Sequence, residues 1–149
     1  MALLREIEIK YRFTEIDCEI TGSYLDKPEK IAEVFKFLHL ETKERFLVVN
    51  LTQQHTILNY EVVATGSANA IVIRPAEVFR TAILLNAPAI VLVHNHPSGD
   101  PSLSLEDINF TKKLLVVAEQ LHISIVDHVV IGFNQFRSIR QTHPELFID

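Results

Sequence analysis

The stretch Ala89-Ile90-Val91-Leu92-Val93-His94-Asn95-His96 runs from five consecutive apolar residues into two histidines one residue apart. A strand with one face in water alternates apolar and polar positions, whereas a strand covered on both faces need not. Ala89–Val93 shows no alternation, so it is expected to be a strand covered on both faces. Upstream, Pro75 opens a helix with Val78, Phe79, Ala82 and Ile83 on one side, stopped by Asn86-Ala87-Pro88. Downstream, the turn-rich loop His96-Pro97-Ser98-Gly99-Asp100-Pro101 leads to Ser104, which opens a helix running to about Leu121. Ile123–Ile131 and Phe136–Ile139 read as the last strands, around Gly132 and Asn134.

Further out, Arg45–Leu51 and Thr56–Thr65 read as two strands joined as a hairpin around Gln53-Gln54. Asp26-Lys27-Pro28-Glu29 reads as a helix start, with Asp26 as the cap and Pro28 in the first turn, followed by Ile31, Val34, Phe35 and Leu38 at helical spacing. Residues 5–13 alternate, with Ile7, Ile9, Tyr11 and Phe13 on one side, as in an edge or half-buried strand. Strands and helices alternate along the chain, which predicts one α/β domain over residues 1–149, a sheet flanked by helices in three layers. Strand order is not readable from this pattern.

The chain has 149 residues, 48% apolar and 22% charged, which suits one soluble globular domain and excludes disorder and a fibrous rod. Its formal charge of -5 is spread along the chain, against the clustered basic face that nucleic-acid capture needs. Cys18 is the lone cysteine, so an intrachain disulfide and a thiolate zinc cage are both excluded, and a reducing cytoplasm is the expected setting. Met1–Leu4 leads straight into the charged Arg5–Lys10, which predicts no signal peptide. Ala82–Val93 falls short of the roughly 20 residues that cross a bilayer and is broken by Asn86 and Pro88.

Side chains two apart on a strand point the same way, so His94 and His96 can converge on one ion. Asp107 lies in the first turn of the following helix, which the proline-rich loop can fold back over the strand end. Two histidines and a carboxylate leave a fourth tetrahedral position for water, the catalytic pattern of zinc binding. Ser104-Leu105-Glu106-Asp107 also matches a capping box, and on its own that pattern favours a simple helix start. For Asp107 the two roles are expected to compete, whereas the Ser104 hydroxyl can cap the helix or donate to a developing oxyanion. Glu61, followed by Val62-Val63 in an apolar strand, is the candidate proton acceptor, against the bland reading of an outward-facing strand residue.

Together Glu61, His94, His96, Ser104 and Asp107 resemble the JAMM/MPN+ metalloprotease motif, a distant Glu followed by H-x-H-x(7)-S-x(2)-D. The closer resemblance is to the RadC family, through His94-Asn95-His96-Pro97-Ser98-Gly99-Asp100-Pro101, Asp127-His128-Val129-Val130-Ile131-Gly132 and Arg74-Pro75-Ala76-Glu77-Val78-Phe79. It covers about residues 25–139. The resemblance implies a curved mixed sheet packed by helices, similar to that of cytidine deaminases. It implies zinc on His94, His96 and Asp107, Glu61 as general base and Ser104 as stabiliser of the tetrahedral intermediate. The implied reaction is hydrolysis of a peptide or isopeptide bond in a protein or peptide substrate. Deaminase chemistry is disfavoured, because it uses H-x-E with P-C-x-x-C and this chain has only Cys18. The alternative is a RadC-like accessory to DNA repair that binds DNA or a repair partner without hydrolysis. Asp127-His128 is expected to be core-polar or on the surface, with a role behind the metal ligands as the rarer alternative. His39, His55, His122 and His143 have no ligand-like spacing and read as structural.

Overall fold

The structure is a computed structural model that describes residues 2–8, 10, 12, 25–66 and 72–148. Its elements are α1 (Pro28–Val34), β1 (Glu44–Leu51), β2 (Ile57–Gly66), α2 (Pro75–Leu85), β3 (Ala89–Asn95), α3 (Leu105–Leu121), β4 (Ser124–Ile131), β5 (Phe136–Ser138) and α4 (Ile139–Thr142), with short 3-10 turns at Lys36–Leu40 and Pro144–Phe147. The five strands form one mixed sheet in the order β2-β1-β3-β4-β5. β3 lies at its centre, antiparallel to β1 and parallel to β4, and every residue of it is buried.

The unbroken apolar run of β3 is explained by two cores. Ala89, Val91 and Val93 pack under Ile31, Val34, Phe35 and Leu38 of the α1 region. Ile90 and Leu92 pack against Val78, Phe79 and Ala82 of α2 and Leu114 and Ala118 of α3. A helical layer on each face therefore removes both sets of side chains from water, at about 25 cal/mol per Å² of apolar surface. The three-layer α/β domain expected from the alternation is the one observed.

Local signals set most element ends. Asn86 closes α2 in the left-handed conformation, at φ 52°, a geometry that asparagine tolerates better than most residues. Ile83, at the margin of the α2 stripe, is half exposed. Ser104 is the N-cap of α3, as its spacing predicted. Asp26 does not cap α1: the N-cap is Lys27, with no side-chain cap bond, because Pro28 takes the first helical position and leaves Asp26 one residue too early. In the expected strand over 5–13, Ile9, Tyr11 and Phe13 lie outside the described residues, and the described ones are not in a strand. Among the described residues no helix is long and apolar enough to cross a membrane.

Two irregularities matter for the site. The β1–β2 register shifts after Phe46, and the β3–β4 register shifts between Ile90 and Leu92. In the second, Ile90 pairs Ile125 but Leu92 pairs His128, so β4 carries one extra residue. A bulge reverses which face the following side chains occupy. It turns His128 to the α3 side of the sheet and sends Val129 to the α1 core.

Candidate metal centre

Parallel strands joined by a helix put the helix N-terminus over the carboxyl end of the first strand, where ligands bind in open α/β sheets. Here β3 ends in His94 and Asn95, and α3 returns over that end with Ser104 and Asp107 in its first turn. His94 continues the Ile90, Leu92 face toward α3, and its side chain is 2% exposed. His96 leaves the strand, but its N–H donates to the Ile131 carbonyl at 2.9 Å and keeps it beside β4. The two Nε2 atoms come within 3.3 Å of each other. Asp107 closes the triangle, with Oδ1 3.3 Å from His94 Nε2 and Oδ2 3.2 Å from His96 Nε2.

The helix cap and the histidine contacts do not compete. Asp107 Oδ2 accepts from the Ser104 N–H at 3.1 Å, and Ser104 Oγ accepts from the Asp107 N–H at 3.0 Å. The reciprocal cap holds the carboxylate in the orientation that faces the histidines. Each histidine also has its second nitrogen fixed. His96 Nδ1 lies 3.0 Å from the Asp100 carbonyl, and His94 Nδ1 lies 2.7 Å from His128 Nε2. Asp100 is itself held in a turn by its carboxylate accepting from the Ser102 N–H and hydroxyl.

Glu61 is not brought to this cluster. It pairs Val48 in the middle of β2, two strand spacings (about 10 Å) from β3, and forms an ion pair with Arg80 of α2. The carboxylate beside the histidines is Glu44, whose Oε1 is 3.9 Å from His94 Nε2. Glu44, His94 and His96 each offer an atom within 4.8 Å of the others, a grouping able to hold a metal ion. Glu44 arrives there because β1 runs antiparallel to β3, so that Phe46 pairs His94 and the start of β1 meets the end of β3. Asn95, on the opposite face from the histidines, fixes this approach. Its Oδ1 accepts from the Arg45 N–H at 2.8 Å and its Nδ2 donates to the Lys43 carbonyl at 3.1 Å, bracketing Glu44 from both sides.

Burial and charge tune these groups. Burial pushes the Glu44 carboxyl above its ordinary value, and His94 and His96 oppose that. Burial also acts to raise Asp107, but the neighbouring His94 and His96 outweigh it and hold this carboxyl well below the usual range. The hydrogen bond to Asp107 raises His96. Burial and the neighbouring His94 push His128 well below the usual imidazole value. A cavity of about 280 Å³ opens beside the cluster, with Glu44, His94 and Asp107 on one side and Phe46, Ile73 and Phe110 on the other.

The sequence does not single out Glu44 for this site, and it offers His128 a place behind the ligands only as the rarer alternative. Glu44 becomes visible only once β1 is known to pair β3. His128 is wholly buried behind His94, and Asp127 is buried with it, accepting from Ser138 Oγ at 2.6 Å and from the Arg140 N–H at 3.2 Å. Of the remaining histidines, His55 and His122 occupy left-handed turn positions, His39 stacks on Phe133, and His143 Nδ1 lies 2.8 Å from Thr142 Oγ1.

A helix-flanked mixed sheet with two histidines and an aspartate gathered where its central strand meets a helix N-terminus defines the class of α/β domain to which this chain belongs. The RadC-like JAB domain matches residues 25–144, and the chain is a member of that family. It is similar to a UPF0758 protein of Methanosarcina acetivorans, 44% identical over 100 residues that make up 67% of this chain and 44% of the relative. It is also similar to UPF0758 proteins of Alkaliphilus oremlandii, 40% identical over 116 residues (78% and 49%), and of Desulfitobacterium hafniense, 38% identical over 118 residues (78% and 52%). The chain thus spans about half the length of the curated relatives it matches.

Proposed function

We propose that this chain is a zinc-dependent hydrolase of peptide or isopeptide bonds, with His94, His96 and Asp107 as the metal ligands. One observation carries the reading. His94 Nε2, His96 Nε2 and the Asp107 carboxylate lie 3.2 to 3.3 Å from one another, while the Nδ1 atom of each histidine is engaged elsewhere. Atoms with lone pairs repel at that distance unless a cation stands between them. A proton satisfies one pair at a time, whereas a metal ion satisfies all three. Two imidazoles and a carboxylate suit zinc and leave a coordination position open. When bound, zinc lowers the pKa of a coordinated water to about 7 and polarises a carbonyl.

The protein groups divide the remaining work. Glu44, not Glu61, accepts the proton of the attacking water and returns it to the leaving amine. Its half-buried position and raised carboxyl pKa suit a group that both takes and gives a proton. The Ser104 oxygen uses a lone pair to cap α3, which leaves its hydroxyl proton free to donate to the oxygen that gains charge. Phe46, Ile73 and Phe110 form an apolar wall that excludes water beside the reacting bond. The acidic balance of the chain favours a protein or peptide substrate over nucleic acid, and the lone Cys18 suits a reducing cytoplasm.

The test is a peptide and isopeptide library digested by purified protein, with a chelator and with zinc restored. Cleavage that stops with the chelator and returns with zinc supports the reading. Absence of zinc-dependent cleavage across both bond types overturns it.

A further inference from the structure

Behind the proposed ligands runs a chain of buried groups that the hydrolytic reading does not use. Thr111 and His128 are fully buried, and His94 is 2% exposed. Their hydrogen bonds can be given directions by counting protons. The Thr111 hydroxyl donates to the Asp107 backbone carbonyl at 2.7 Å, which commits its one proton. His128 Nδ1 lies 2.7 Å from the same Thr111 oxygen, so Nδ1 must be the donor in that contact. A fully buried imidazole with no carboxylate bonded to it carries a single proton, so His128 Nε2 keeps its lone pair. That atom stands 2.7 Å from His94 Nδ1, which must therefore carry the His94 proton. The His94 lone pair is left on Nε2, the atom that faces His96 and Asp107.

We propose that His128 is a positioning residue that fixes His94 as its Nδ1–H tautomer, with Thr111 fixing His128 in turn, so that His94 can bind metal only through Nε2. The inference rests on the metal-centre reading for its consequence but stands on its own hydrogen-bond geometry. Three features of the fold build the chain. The bulge in β4 turns His128 toward α3. Thr111 follows Asp107 by one helical turn, so the carbonyl that orients its hydroxyl belongs to a ligand residue. Phe46 stacks on His94 at 5.7 Å and meets His128 edge-on at 5.5 Å, which restricts rotation of both rings. Partners of this kind set tautomer, ring orientation and basicity in metal-bound histidines.

The test combines three variants with a direct reading of the tautomer. His128→Leu removes both nitrogens, His128→Gln restores an acceptor toward His94, and Thr111→Val removes the hydroxyl at constant shape. Zinc affinity is measured by competition with a chromophoric chelator, with far-UV circular dichroism as the folding control. His128→Leu should bind zinc about 10- to 100-fold more weakly than the parent. Thr111→Val should fall between the two, and His128→Gln should recover most of the loss. Nuclear magnetic resonance of the metal-free parent labelled with nitrogen-15 histidine should show His94 protonated on Nδ1. Parent-like affinity in His128→Leu, equal losses in the Leu and Gln variants, or an Nε2–H His94 would each overturn the proposal while leaving the metal centre intact. A parent without zinc affinity would overturn the metal-centre reading and this consequence of it together.

Discussion

Glu44 and Glu61 lie on neighbouring antiparallel strands and face the same side of the sheet, yet they sit in opposite surroundings. Glu61 is in the middle of β2, at the sheet edge, where the Arg80 guanidinium from α2 neutralises it. Glu44 is at the start of β1, where the end of β3 and the first turn of α3 bring two imidazoles and a second carboxylate beside it. The surroundings of each carboxylate are set here by the place its residue takes along the strand. A costly charge in an apolar strand is a weak signal for chemistry, because one arginine on a covering helix is enough to account for it.

The sharpest way to break this contrast is Glu44→Gln. The variant should lose about 10²- to 10⁴-fold in kcat, the range for a removed general base, while retaining zinc. Parallel metal analysis and kinetics read both, and unchanged kcat would end the case for Glu44. Ser104→Ala should cost about 1 kcal/mol of stability through the lost cap. If the hydroxyl also donates to the developing oxyanion, turnover falls about 10²- to 10³-fold, and a urea melt beside a rate assay separates the two effects. Asn95→Ala removes both bonds that bracket Glu44. It should lower turnover by up to about 10²-fold through misplacement of that carboxylate, with zinc affinity close to the parent's. A drop in zinc affinity as large as the drop in rate would show that Asn95 supports the ligands instead. Glu61→Gln should have the smallest effect, with parent-like turnover and a stability change within about 0.5 kcal/mol, because its pair with Arg80 is partly exposed. Turnover as low as that of Glu44→Gln would reverse the assignment of the two glutamates.

The same contrast shows how far the sequence could be read. The central strand, the helix cap at Ser104 and the convergence of His94, His96 and Asp107 all follow from local signals: an unbroken apolar run, S-x-x-D, and the two-residue period of a strand. Glu44 did not follow, because its place depends on β1 pairing β3, and strand order is a long-range choice that no local pattern records. His128, read from sequence only as the rarer alternative behind the ligands, is obscured for a different reason. A strict two-residue period places Asp127 on the face that His128 occupies, and only the extra residue in β4 reverses this. The Asp26 cap failed by one position, since Pro28 shifted the first helical turn. Asp107 combines its cap with contacts to both histidines: Oδ2 accepts from the Ser104 N–H and lies beside His96, while Oδ1 lies beside His94.

The central claim is that His94, His96 and Asp107 hold a zinc ion. The most direct measurement is the metal content of the purified chain and of Asp107→Ala after equilibration with zinc and removal of free ion. A three-ligand site predicts about one zinc ion per parent chain and little or none in the variant. A parent that retains no zinc, or an Asp107→Ala protein that retains as much as the parent, would contradict it.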